Sequence, residues 1–238
     1  MLPVRRRILL AAATAIAALL LAPSAASPTG QIVIYGAKSG SHLTLFERGN
    51  KIVVKGNMAK AKRRAPHGCR LSRNAMRAVC PTRGVNRIEV VMGPSGDFVE
   101  VAGTLPMPLT VRLGDGSDKF IGGGEPDTCY PEGARRNRCI GRGGNDVCIT
   151  GPRNSDCVGG PGNDYCRHQT GSDGCWGGPG RDVCVMGPGQ DGCHGGPGND
   201  RLYGGRDPDR LYGGPGHDYC DGQHGWGKSQ SCEAGPRR

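Results

Sequence analysis

Aspartate returns every nine residues through the second half of this chain. It stands at Asp146, Asp164, Asp173, Asp182, Asp191, Asp200, Asp209 and Asp218, so that after one gap of 18 every step is nine. The gap is occupied by "TGPRNSDCV" (150–158), where Ser155 takes the aspartate slot. Upstream, Asp118 and Asp127 keep the step, while "PEGARRNRCI" (131–140) is one residue too long and lacks the aspartate. A period of nine therefore runs from about residue 113 to 221 with one insertion, and fixed periodicity of this kind marks a solenoid built from one small unit.

The unit is G-G-x-G-x-D-x-U-x, where U is the inward-facing strand residue. "GGPGND" at 159 and 195, "GGPGRD" at 177 and "GGPGHD" at 213 match every fixed position. Six glycine-rich residues make a turn, because glycine tolerates positive φ and lets backbone carbonyls point inward together. The remaining three make a very short strand. The pattern resembles the RTX, or haemolysin-type calcium-binding, nonapeptide repeat, and the resemblance covers nearly half of the chain. It implies an all-β parallel β-roll with two repeats per coil, so that residues 18 apart stack on one edge.

The resemblance also implies Ca2+ between turns of successive coils. Calcium takes six to eight oxygens, and aspartate with inward carbonyls suits it. Edge one carries Asp127, Asp146, Asp164, Asp182, Asp200 and Asp218, with Gly159, Gly177, Gly195 and Gly213 opening its best turns. Edge two runs "LGDGSD", "ARRN", "TGPRNS", "HQTGSD", "MGPGQD" and "GGRDPD", and is expected to offer at most two poorer sites, around Asp173, Asp191 and Asp209. The competing reading is a metal-free solenoid of Gly-Asp turns, since such turns need no ion. Against it, stacked carboxylates repel one another without a cation.

Nine cysteines occupy U, where the family usually has Leu, Ile or Val: Cys129, Cys139, Cys148, Cys157, Cys166, Cys175, Cys184, Cys193 and Cys220. Cysteine is missing downstream only at Leu202 and Leu211, two consecutive repeats. Consecutive U residues face each other across the roll, so this paired absence predicts bridges Cys129–Cys139, Cys148–Cys157, Cys166–Cys175 and Cys184–Cys193. Cys220 is left for Cys232, and Cys69 for Cys80. A soft-metal thiolate row is the alternative, but no CxxC spacing supports it.

Residues 1–26 read as an export signal: Arg5, Arg6 and Arg7, then an apolar stretch over 8–21, then "SAAS" with cleavage after Ala26. The apolar stretch is short of the roughly 20 residues of a membrane span, so no transmembrane span is expected after its removal. The twelve cysteines then enter an oxidising, extracellular setting where disulfides are the default. They suit a chain with 43 glycines, 18 prolines and few aromatics, which cannot bury a large apolar core.

Residues 27–110 form a basic, β-rich region, with 13 Lys+Arg against 4 Asp+Glu, expected to continue or cap the roll as irregular strands. The repeats span 111–221, and 222–238 form a tail. Lys60, Lys62, Arg63, Arg64, Arg70 and Arg73 concentrate charge that an anionic surface polymer could meet; a solvated loop clipped by Cys69 and Cys80 is the plainer reading. No aromatic interleaving supports nucleic-acid binding. No HExxH, GxSxG or phosphate loop is present, and the histidines, including His168, His194 and His217 in variable slots expected to be exposed, follow no metal spacing. The expected function is that of a secreted calcium-binding protein and not an enzyme; the alternative is an adhesin acting through the basic region.

Overall fold

The computed structural model describes residues 30–57, 69–74, 76–133, 135–223 and 228–233. The proposed signal segment, Lys60, Lys62, Arg63 and Arg64 lie outside them. Among the described residues there is no helix, and none long and apolar enough to cross a membrane. The chain is an all-β parallel solenoid of two facing sheets, as the nine-residue period predicts.

Each coil contributes one strand to each sheet. In the nine-stranded sheet, Val147–Ile149, Tyr165–Arg167, Val183–Val185, Arg201–Tyr203 and Tyr219–Asp221 follow one another in parallel register. In the twelve-stranded sheet, Asn137–Ile140, Ser155–Val158, Gly174–Trp176, Gly192–His194 and Arg210–Tyr212 do the same. Register is an 18-residue step: Cys148 pairs with Cys166 and Cys166 with Cys184, while Cys157 pairs with Cys175 and Cys175 with Cys193. Three-residue strands put one side chain inside and two outside, and each strand's central U residue is buried.

The N-terminal region is more regular than the sequence suggested. Gln31–Tyr35, Arg87–Val91 and Leu109–Arg112 extend the nine-stranded sheet in parallel, and His42–Glu47, Phe98–Val101 and Lys119–Ile121 extend the other. Pairing turns antiparallel only at the end of the twelve-stranded sheet, where Lys51–Gly56, Arg77–Pro81 and Arg70–Leu71 follow His42–Glu47. Here the interior is aliphatic, with Ile32, Leu43, Leu45, Ile88, Val90, Val99 and Val111 buried. The core therefore changes along one continuous stack, from branched aliphatics to sulfur.

Five disulfides form: Cys69–Cys80, Cys129–Cys139, Cys157–Cys166, Cys175–Cys184 and Cys220–Cys232. Cys148 and Cys193 are buried thiols. Three expected bridges, Cys148–Cys157, Cys166–Cys175 and Cys184–Cys193, are thus replaced by two that are shifted by one repeat. The physical reason is that each U sulfur from Cys139 to Cys184 is flanked by one from the preceding repeat and one from the following. Counting pairs from one end does not choose between the two neighbours.

Candidate calcium sites

The edge-one turns lie between a strand of the twelve-stranded sheet and the next strand of the nine-stranded sheet; 159–164, for example, joins Ser155–Val158 to Tyr165–Arg167. Stacking such turns at strand spacing requires backbone almost touching backbone. At Gly178, Gly196 and Gly214, φ is 112–115°, and a Cβ would meet the carbonyl oxygen of the equivalent residue one coil earlier. Only glycine meets both demands. Arg142 takes this position in "GRGGND" at φ 81°, and its guanidinium donates to the carbonyls of Val101 (2.6 Å) and Gly122 (3.2 Å). A fixed positive charge thus ends the row at its upstream side.

Every ladder aspartate is buried. One carboxylate oxygen is used structurally: the N–H of Asp146 donates to Asp164 Oδ1 (2.7 Å), that of Asp164 to Asp182 (2.8 Å), that of Asp182 to Asp200 (2.8 Å) and that of Asp200 to Asp218 (2.9 Å). The other oxygen, Oδ2 of Asp146, Asp164, Asp182, Asp200 and Asp218, is buried with no hydrogen-bond partner. A buried oxygen left so costs on the order of 1–3 kcal/mol, and more when charged.

These orphaned oxygens share a specific niche with backbone carbonyls. At Gly141, Gly159, Gly177 and Gly195, the space a Cβ would fill touches the turn's own Asp Oδ2 and the carbonyl oxygen of Gly159, Gly177, Gly195 and Gly213, one coil on. At Gly213 the pair is Asp218 Oδ2 and the carbonyl of Ser231. The arrangement is a notch in which hard oxygens from two successive coils converge on a glycine, and this is the donor chemistry calcium takes. Asp127 differs, since its Oδ2 already accepts the Gly123 N–H (2.8 Å).

Edge two keeps the hydrogen-bond ladder and lacks most of the notches. Asp173 accepts from Ser155 N–H (2.7 Å), Asp191 from Asp173 (2.7 Å) and Asp209 from Asp191 (3.0 Å). At the position equivalent to the notch glycine stand Leu113, Thr150, His168 and Met186, all buried, while Gly204 keeps the glycine and lies beside Asp209 Oδ2 without the facing carbonyl of edge one. His168 corrects the sequence reading: far from exposed, it is enclosed, with Nδ1 3.1 Å from Thr150 Oγ1 and 3.7 Å from Asp173 Oδ1. Burial lowers its pKa to about 4, so it is a neutral plug at physiological pH. His194 and His217 are exposed as expected.

Two features escaped the sequence reading. The slot before the aspartate, treated as free, carries a second ladder, in which Asn163 N–H donates to Asn145 Oδ1 (2.8 Å), Arg181 N–H to Asn163 Oδ1 (2.8 Å) and His217 N–H to Asn199 Oδ1 (3.0 Å). Asparagine at 145, 163 and 199, in 18-residue register, was the available signal. The "ARRN" repeat also keeps the aspartate's role: Asn137 Oδ1 accepts the Asp118 N–H (2.8 Å). Upstream of it, Asp97 is also buried, and its N–H donates to Asp118 Oδ1 (2.8 Å).

Burial pushes the ladder carboxyls up, to about 7 at Asp146, Asp173, Asp182 and Asp209 and about 6 at Asp164, Asp191 and Asp200; donated backbone N–H groups oppose the shift. A carboxyl raised from 3.8 supports the fold while protonated, so its contribution is full below that value and is lost as pH rises through about 6–7. After dialysis against chelator, the melting temperature should fall between pH 4 and 8. With millimolar calcium the same scan should rise, because the ion takes over from the proton.

A second expectation follows from the notch. Gly177→Ala places a methyl group on Asp182 Oδ2 and the Gly195 carbonyl, an overpacking that costs about 1–3 kcal/mol, and calorimetry should count fewer bound ions. Gly192→Ala, with open space around the new Cβ, should change neither melting nor stoichiometry.

Residues 194–225 match the family model of the RTX calcium-binding nonapeptide repeat in four copies. No curated protein and no solved structure matches the chain. The matched segment contains the turns ending in Asp200, Asp209 and Asp218, and the same 18-residue register continues upstream to Val147 in one sheet and Asn137 in the other. The chain is an all-β parallel solenoid whose last coils, within residues 194–225, match the RTX calcium-binding nonapeptide repeat.

Proposed function

We propose that this is a secreted calcium-binding protein whose ions form one row along edge one, in the notches at Gly141, Gly159, Gly177, Gly195 and Gly213. The observation that carries the reading is the coincidence, five times over, of an unpartnered aspartate Oδ2 and the next coil's carbonyl oxygen, both packed against a glycine that has no Cβ to block them. Bound calcium supplies charge neutralisation and coordination for those oxygens. The residues already do the rest: Oδ1 clamps successive coils, and glycine lets the oxygens of two coils converge. Edge two is held together by its side chains and adds at most one site, at Asp209. Where extracellular calcium is millimolar the roll is stiff and complete, and the disulfides maintain it where calcium is scarce.

Isothermal titration of the chelated, oxidised protein tests this. Binding of four or five ions per chain supports the row, and a silent titration removes it. The alternative of an adhesin acting through the basic region gains nothing comparable: Arg70 and Arg73 are exposed, and the rest of that charge run lies outside the described residues.

A further inference from the structure

The two buried thiols stand at particular places in a column of eight cysteines. Cys129, Cys148, Cys166 and Cys184 stack on the nine-stranded sheet, and Cys139, Cys157, Cys175 and Cys193 on the other. The Sγ atoms of Cys129, Cys139 and Cys148 lie within 4.8 Å of one another, as do those of Cys175, Cys184 and Cys193. Each thiol therefore sits against an existing bridge. Cys148 also lines a small interior cavity with Cys157 and Cys166, the bridge on its other side.

We propose that the cysteines from Cys129 to Cys193 form a single thiol–disulfide exchange ladder, whose two thiols migrate along their own sheets and pair into a fourth bridge when a small organic disulfide accepts two electrons. The elementary step needs no oxidant. The Cys193 thiolate attacks Cys184 Sγ, the Cys175–Cys184 bond breaks, the Cys184–Cys193 bond forms, and the electron pair leaves on Cys175, which takes up the proton Cys193 gave up. Exchange through such neighbours is the ordinary route by which bridges isomerise.

Parity makes the idea specific. Each step frees the former partner of the attacked sulfur, which lies two repeats away on the attacker's own sheet. The thiol that begins at Cys148 visits only Cys129, Cys166 and Cys184; the one that begins at Cys193 visits only Cys175, Cys157 and Cys139. When they become neighbours, two thiols and one RSSR give one protein disulfide and two RSH. The product is Cys129–Cys139, Cys148–Cys157, Cys166–Cys175 and Cys184–Cys193, the pairing that counting cysteines along the sequence predicts. The sequence-derived pairing and the one in the structure are then two redox states of one ladder, with Leu202 and Leu211 ending it before Cys220.

Single-thiol variants test this. In Cys193→Ser, held for hours at pH 8.5, acid-quenched, then unfolded and alkylated, the label should spread over Cys129, Cys148, Cys166 and Cys184 and avoid Cys139, Cys157 and Cys175. In Cys148→Ser it should spread over Cys157, Cys175 and Cys193 and avoid Cys166 and Cys184. Label confined to Cys148 in the first variant and to Cys193 in the second overturns the ladder. The unmodified protein supplies a check that does not depend on either variant folding. Treated with hydroxyethyl disulfide, it should lose both thiols and yield peptides joined as Cys148–Cys157, Cys166–Cys175 and Cys184–Cys193. Adducts on Cys148 and Cys193 with Cys157–Cys166 and Cys175–Cys184 intact count against it.

Discussion

Changing Asp164, Asp182 and Asp200 together to asparagine should leave a folded roll that no longer gains stability from calcium. The protein itself shows why the fold survives, since Asn137 occupies the aspartate slot and its Oδ1 accepts the backbone N–H of Asp118 as a carboxylate would. Asparagine thus preserves the clamp between coils and removes the charged Oδ2 that faces each notch. Without calcium the triple variant should melt above the parent at pH 8, because three buried, unpartnered charges are gone. With calcium the order should reverse. A ligand at 100 times its Kd adds about 2.7 kcal/mol per site, so three lost sites forfeit roughly 8 kcal/mol. The control is Asp173→Asn with Asp191→Asn on edge two, where His168 and Met186 fill the notch position; its calcium response should match the parent. Melting curves of the three proteins with calcium and with chelator decide the matter, and an edge-two variant that loses the larger response would invert the assignment.

The second large effect concerns the bridges. Reducing the protein in chelator should unfold the repeats, whereas reduction alone or chelation alone should leave β structure by circular dichroism. The roll interior beyond Phe120 holds cysteine at most inward positions, with Leu202 and Leu211 the main aliphatic exceptions. Each bridge spans a sequence separation of 9 to 12, worth somewhat under 3 kcal/mol in the chain-entropy model. Losing five such constraints costs on the order of the whole 5–15 kcal/mol by which domains are ordinarily stable, and the uncompensated carboxylates add to it. Calcium added to the reduced chain should restore the β signal, because five ions contribute on the same scale. A reduced, chelated roll that stays folded would show that backbone pairing and thiol packing suffice.

The aspartate ladder and the U column were legible from the sequence because a solenoid turns period directly into position. Once residues 18 apart are known to stack, Asp164 over Asp182 and Cys157 over Cys175 follow without coordinates. The N-terminal strands were legible as strands and not as coils, since Gln31–Tyr35 and Arg87–Val91 pair across 56 residues with no repeated motif to announce it. Edge two was expected to be the poorer edge from its irregular turns; in the structure a buried side chain such as His168 or Met186 stands at the position that Gly159 and Gly177 hold on edge one.

The nine-residue period by itself determined the stacking of the repeat region and its inward column, because a short unit repeated in register places residues 18 apart one above the other. Two things needed the tertiary structure: which carboxylate oxygen is left unpartnered, and which of two flanking sulfurs each cysteine takes. Both are choices between neighbours at nearly equal distance, and only packing across coils separates them.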